Sequence, residues 1–321
     1  MGQYNWTNHY AATLIQNDLK YPFRSYDITN ETGFGKVISC DVFPGLQTVY
    51  NDLNMQYCGN VVPGNDGIVE ISYCMEGRYE CEVSNQYCFY VSHGDLSVGT
   101  VGCRESGGSF PTKSYSGLTI FLDAKEFKEQ CNIFLREMKI ELDEILKASV
   151  QYPRLCILHG NPDIDLILKS AIDAQTKEDI SLLRLKILEL LLLLGRIDFE
   201  SYKDMPAYLN HTQAVLAKNV HQMLTSDLSI HLTLKTLSEE LNASPTAIKN
   251  AFKTVYGESI RNYMKSFRIN EAQRLLREED RPVADVAAMV GYHNPGHFSA
   301  AFKEKYGISP GDHKKCVRFE Q

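Results

Sequence analysis

The sequence predicts an α+β domain followed by an all-α domain, and three observations carry that prediction. Residues 36–122 alternate apolar and polar side chains in short runs separated by Gly, Asn, Asp and Pro. From Asp123 the apolar spacing becomes helical. Residues 244–257, SPTAIKNAFKTVYG, are nearly repeated at 294–307 as NPGHFSAAFKEKYG.

The alternating runs are KVISCDV, GIVEISYCMEG, RYECEV, QYCFYV, GDLSVG and GLTIFLD. Period-2 runs bounded by turn residues predict a compact antiparallel barrel or sandwich. After them, AKEFKEQCNIFLREM and PDIDLILKSAIDAQ are amphipathic, and DISLLRLKILELLLLLGRIDF is apolar on nearly all sides from Ile187 to Leu194. A helix apolar all round must be covered on more than one face. It is expected to pack on the barrel and on a partner subunit, with Ile187, Leu190, Leu191 and Leu194 as dimer contacts; an ordinary buried helix is the alternative. Residues 198–211 show no periodicity and contain Pro206. The linker is therefore placed at 201–211, between domains 1–200 and 212–321.

Each copy of the repeat starts with an N-cap residue, Ser244 or Asn294, and has Pro245 or Pro295 at the first helical position, where no backbone N–H is needed. Each ends at Gly257 or Gly307, suited to the left-handed residue after a helix. Ser259 and Ser309 offer a second cap two residues later. Upstream of the first copy, Leu234, Leu237 and Leu241 share a helical face; Val283, Val286 and Val290 answer them before the second. Asn242 and Gly291 hold the sharp turns between the helices. Ile248, Ala251, Phe252 and Val255 face inward in one copy, and Phe298, Ala301 and Phe302 in the other. Two short helices joined by a tight turn form a helix-turn-helix, and here the unit is used twice. About 20 residues of good helix formers connect the copies and span about 30 Å. Successive major-groove faces of B-DNA repeat at about 34 Å.

The chain of 321 residues has a net charge of −7, and the charge is unevenly divided. Residues 211–321 hold 15 Lys+Arg against 12 Asp+Glu, whereas the remainder holds 18 against 28. Such asymmetry suits an anionic partner for the last third alone. The nine cysteines (Cys40, Cys58, Cys74, Cys81, Cys88, Cys103, Cys131, Cys156 and Cys316) are odd in number and form no CxxC, which fits reduced thiols. The first twenty residues lack a basic region followed by an apolar core, and no apolar run is long enough to cross a bilayer. A cytoplasmic location without membrane association is expected. No nucleophile elbow or phosphate loop occurs, so no enzymatic activity is expected.

The words YMKSFRINEAQRLL, PVADVAAMVGYHNPGHFSAAFKEKYGISP and LSEELNASPTAIKNAFK make the stretch 212–318 resemble the DNA-binding domain of the AraC/XylS family of bacterial transcription regulators. The resemblance implies two helix-turn-helix units joined by one long helix on double-stranded DNA. It also implies an N-terminal domain that senses a ligand, dimerises, or both. On the first reading helix Thr246, Lys249 and Asn250 are expected at base edges, since Lys suits guanine and Asn adenine. On the second, His297 and Ser299 are the candidates. Members often carry Arg where this chain has Asn250 and Ala300; Gly296 and Ala300 allow only small contacts, so the second unit is expected to rely more on phosphate contact and shape. Lys253, Lys303, Lys314 and Lys315 are phosphate candidates. Arg268 is expected to tie the two units together.

The β-rich start resembles the cupin-like sensor barrel of the same family. GIVEISYCMEG offers no histidine, and His93 and His159 stand apart, so neither a metal nor a cofactor is expected. Tyr73, Tyr79, Tyr87, Phe89 and Tyr90 are candidates to line a pocket for a small organic effector, or else plain core. Cys74, Cys81 and Cys88 are read as buried hydrophobes, with a thiol sensor as the rival. A homodimer is expected, and RNA polymerase is a further candidate partner. The alternatives are a ligand-independent regulator whose first domain only dimerises, a redox-responsive regulator, and a cupin-type enzyme.

Overall fold

The computed structural model describes residues 4–320 except 18, 61–64, 85–86, 103–107, 151–154, 203–207 and 279–280. The chain divides into two compact units, Met1–His211 and Thr212–Gln321.

The first unit contains β1 (Thr13–Asn17), β2 (Phe23–Asn30), β3 (Gly33–Phe43), β4 (Leu46–Asn54), β5 (Asn65–Ser84), β6 (Tyr87–Ser92), β7 (Leu96–Val101) and β8 (Ser114–Asp123). These are followed by α1 (Ala124–Glu137), α2 (Asp143–Val150), β9 (Leu155–Leu158), α3 (Pro162–Thr176), α4 (Ile180–Leu194) and β10 (Tyr208–Asn210). Every pairing is antiparallel. The hydrogen-bonded path runs β1-β2-β3-β4-β8-β5-β6-β10, with β7 on β5 and β9 on β7. Among the described residues its two ends do not pair, so the barrel closure expected from the sequence is not formed.

The sheet is buried on both faces, which the alternation explains. Along β8, Leu118, Ile120 and Leu122 pack with Phe127, Ile145, Leu168 and Ile187 of the four helices. Tyr115 and Phe121 point the other way, into a second cluster with Trp6, Met55 and Phe110. β5 is long enough to serve two neighbourhoods. Its first part pairs with β7 and β8, and from Arg78 on it pairs with β6. Gly77 sits at the changeover with φ +85°, and a Cβ there would lie 1.9 Å from the Ser114 carbonyl oxygen. Only glycine tolerates both conditions.

The all-apolar helix is α4. Ile187, Leu190, Leu191 and Leu194 are wholly buried in their own unit's core. This corrects the expectation of a dimer seam at these four positions, because none keeps surface for a second chain. The outward face instead shows Leu185, 62% exposed, among Ser181, Arg184 and Glu189. The strands β1, β2, β9 and β10 lie outside the alternating stretch read from the sequence.

The second unit is helical: α5 (His211–Ser226), α6 (Leu234–Glu240), α7 (Pro245–Tyr256), α8 (Ile260–Glu278), α9 (Val283–Met289), α10 (Pro295–Tyr306) and α11 (Pro310–Glu320). Asn242, with φ 47°, turns the chain between α6 and α7, and Gly291, with φ 84°, does so between α9 and α10. The 19 residues of α8 span about 28 Å. No helix among the described residues is long and apolar enough to cross a membrane.

Candidate nucleic-acid interface

Local chemistry fixes α7 and α10 in the same way. The Ser244 hydroxyl accepts from Ala247 N at 3.2 Å. Asn294 Oδ1 accepts from Gly296 N at 2.8 Å and His297 N at 3.1 Å. Pro245 and Pro295 open the helices, and Gly257 and Gly307 close them in the left-handed conformation. The inward residues Ile248, Ala251, Phe252 and Val255 are buried, as are Phe298 and Phe302, while Ala301 is half-buried.

The opposite faces are open. Thr246, Lys249, Asn250 and Lys253 are all exposed on α7, and His297, Ala300 and Lys303 on α10; Ser299 is half-buried. An exposed helix face of this kind, on a helix whose apolar side is anchored, can enter a major groove. Lys315 is exposed, whereas Lys314 is half-buried and donates to the Arg281 carbonyl at 2.6 Å. That bond holds Lys314 to its own chain.

Arg268, near the middle of α8, is buried. Its Nη1 donates to the Val290 carbonyl at 3.1 Å and its Nη2 to the Ile230 carbonyl at 3.3 Å. His231 Nε2 lies 3.1 Å from Nη1 and 2.8 Å from the Gly291 carbonyl oxygen. Burial pulls the guanidinium below its usual pKa, and the two carbonyls compensate part of that cost. Arg268 thus joins α8 to the α5–α6 loop and to the α9–α10 turn; among the described residues it makes no hydrogen bond to α6 or α7. Gly291 permits this: a Cβ there would stand 1.7 Å from Arg268 Nη1.

Beside Arg268 lies an open trough of about 1000 Å³, bordered by Arg261, Lys265, His293, His297 and Glu304. The sequence reading missed Arg261 and Lys265. Their spacing of four on one face of α8 was the available signal, masked by a helix polar on several sides.

In the first unit a small cavity of about 80 Å³ opens on the face of the sheet away from α1–α4. Its walls include Tyr10, Asn51, Glu70, Ser72, Tyr79, Tyr115 and Thr119. Ser72 Oγ is 3.2 Å from both Glu70 Oε1 and Thr119 Oγ1, and Tyr10 donates to Asn51 Oδ1. Of the expected pocket residues, Tyr79 lines this cavity. Tyr73 lies on the opposite face, where its hydroxyl donates to Asp165 of α3. Phe89 and Tyr90 are buried and do not line it, and the Tyr87 side chain falls outside the described residues. Glu70 and Ser72 were not among the expected pocket residues; they are the polar half of the alternation in GIVEISYC, which shows that they share a face but not that the face is covered.

Cys74, Cys81 and Cys88 are buried. Burial pushes the Cys74 thiol up to about 12, so it stays protonated, as does Cys40 for the same reason. Cys103 lies outside the described residues. His159 Nδ1 sits 2.8 Å from Asp95 Oδ1, and the ring of His93 contacts the Met75 carbonyl.

A family model described as a helix-turn-helix domain matches residues 237–315. The transcriptional activator RhaR of Pectobacterium atrosepticum is 25% identical over 158 residues, 49% of this chain and 55% of that protein. RhaR of Klebsiella pneumoniae is 30% identical over 95 residues, 30% of this chain and 34% of that protein. The transcriptional regulator GadX of Escherichia coli is 24% identical over 190 residues, 59% of this chain and 68% of that protein. The chain spans about half the length or less of the two RhaR proteins.

Proposed function

We propose that the chain is a transcription regulator of the AraC/XylS type, acting by sequence-specific binding to double-stranded DNA under control of a small organic effector held in its first unit. The observation that carries the reading is the pairing of α7 and α10: two helices with the same caps and the same buried aromatic anchor, each turning an exposed face outward. In this reading α6–α7 and α9–α10 are two helix-turn-helix units joined by α8. Thr246, Lys249 and Asn250 read base edges, His297 and Ser299 contribute at the second unit, and Lys253, Lys303 and Lys315 meet phosphates.

The first unit acts as the sensor. Its support is the cavity walled by Tyr79, Phe110, Tyr115 and Phe121, into which Glu70, Ser72, Thr119 and Asn51 bring polar groups; of the aromatic set expected from the sequence it keeps Tyr79. The high pKa of the Cys74 thiol disfavours a thiol sensor at that position. A homodimer, contact with RNA polymerase and a cytoplasmic location complete the proposal; the dimer contact does not use the interior face of α4.

The test is selection of bound sites from random DNA by the full chain. The double substitution Lys249→Ala, Asn250→Ala should erase base preference in one half of the selected motif, at about 1–3 kcal/mol per contact. An unchanged motif rejects the assignment of the reading face.

A further inference from the structure

The trough beside α8 takes the largest share of its lining from α8 and shares only His297 and Ala300 with the outward face of α10. Its α8 wall is a single stripe, Ile260, Arg261, Met264, Lys265 and Arg268, one and two helical turns apart. The opposite wall is the first half of α10, where His297 and Ala300 border it. The trough begins at the first turn of α8, three residues after Gly257 ends α7. Along the chain its α8 wall thus follows directly on α7, and across the trough that wall faces α10. The first turns of α8 and α10 both border it through Ile260, Arg261, Asn262, Asn294 and His297, and helix N-termini favour negative charge.

The charges divide into three roles. Arg268 is buried and committed to carbonyls. Lys265 donates to Glu304 at 2.8 Å, and both side chains are more than half exposed. Arg261 is exposed and makes no hydrogen bond or ion pair with any described residue. A guanidinium in that position, beside a lysine held only by a solvated pair, fits phosphate geometry. Among the described residues the one carboxylate bordering the trough is Glu304, the partner of Lys265.

We propose that this trough is a DNA-backbone site: Arg261 binds a phosphate lying between the two segments read by α7 and α10, and Lys265 joins it by leaving Glu304. The site sets affinity and register and carries no base preference. It rests on the DNA-binding reading given above and adds a contact and a competing internal carboxylate to it.

The experiment uses the full chain and a fluorescent duplex carrying the motif selected from random DNA, with dissociation constants measured across a salt series. Each phosphate neutralised contributes about 0.9 to the slope of log affinity against log salt. Arg261→Gln should lower that slope by about one and weaken binding about 5- to 10-fold at 0.1 M salt, equally for matched and mismatched duplexes. Glu304→Gln should tighten binding, by up to about five-fold, the strength of the exposed pair it removes. The gain should vanish in the double variant Lys265→Gln, Glu304→Gln. All three positions are exposed, and unchanged thermal unfolding verifies that each variant folds. An unaltered slope in Arg261→Gln overturns the site, and an altered selected motif overturns it in favour of base reading. Unchanged or weaker binding by Glu304→Gln overturns the competition for Lys265. If the unsubstituted chain selects no DNA, the regulator reading fails first; if it selects DNA and the variants match it, only the trough fails.

Discussion

Removing the Arg268 side chain should unlock the second unit, and the structure gives the size of the effect. Arg268→Ala deletes two hydrogen bonds to carbonyls and the contact with His231. The Val290 carbonyl bond is buried, and an orphaned buried acceptor costs about 1–3 kcal/mol. The Ile230 carbonyl is on a half-open loop and regains water, so its loss is the net worth of one hydrogen bond, about 1 kcal/mol. The buried stem adds about 1 kcal/mol of lost packing. Relief of the desolvated charge offsets part of this, leaving a loss of about 2–4 kcal/mol. For a unit of this size each kcal/mol shifts the melting temperature by about 4–8 °C, so a fall of at least about 8 °C is expected. Thermal and denaturant unfolding of the full chain, followed by calorimetry, reads it as a shift of one transition. Arg268→Lys keeps the charge but cannot bridge both carbonyls, and should retain about half the stability difference. In site selection, Arg268→Ala should lose the half of the motif assigned to α10 and keep the half assigned to α7. A loss under about 1 kcal/mol, or a lysine variant equal to the parent, would refute the locking role.

Three further outcomes are expected. Phe298→Ala removes a fully buried ring from the core shared by α8, α9 and α10, and denaturant unfolding should record a loss of about 3–5 kcal/mol. Asp95 raises the pKa of His159 by accepting its hydrogen bond. The stabilisation is therefore complete below the unfolded value of about 6.5 and is lost as pH rises through the higher folded value. Melting temperatures of the parent and His159→Gln should converge as pH is raised from about 6 to above 8; a gap that stays constant with pH would exclude this linkage. With its thiol near 12, Cys74 is ionised in about one molecule in 10⁵ at pH 7. Cys74→Ser should leave any peroxide response of DNA binding unchanged, and loss of that response would make the thiol a sensor.

What the sequence disclosed best was whatever is local. The caps at Ser244 and Asn294, the prolines after them, the left-handed residues at Asn242, Gly257, Gly291 and Gly307, and the buried faces of α7 and α10 all depend on neighbours within a few positions, and all are formed. Long-range consequences were harder. LCIL at 155–158 is a strand because β7 lies beside it; four apolar residues among helices carry no periodicity. The polar groups in the cavity wall come from β4, β5 and β8, at positions that alternate with the core residues. Alternation states which residues share a face and leaves open whether that face is wet. The all-leucine run of α4 correctly announced heavy burial, but its covering comes from the chain's own sheet and α3. Arg261 and Lys265 acquire meaning only once α10 is folded opposite them.

The short strand β10 has a protective consequence. Three residues, Tyr208–Asn210, are zipped to Tyr87–Phe89, and His211 begins α5 with no spacer. β5 holds the other side of β6, so the added strand covers what would otherwise be an open edge and closes the Tyr87–Phe89 backbone to pairing with a foreign strand.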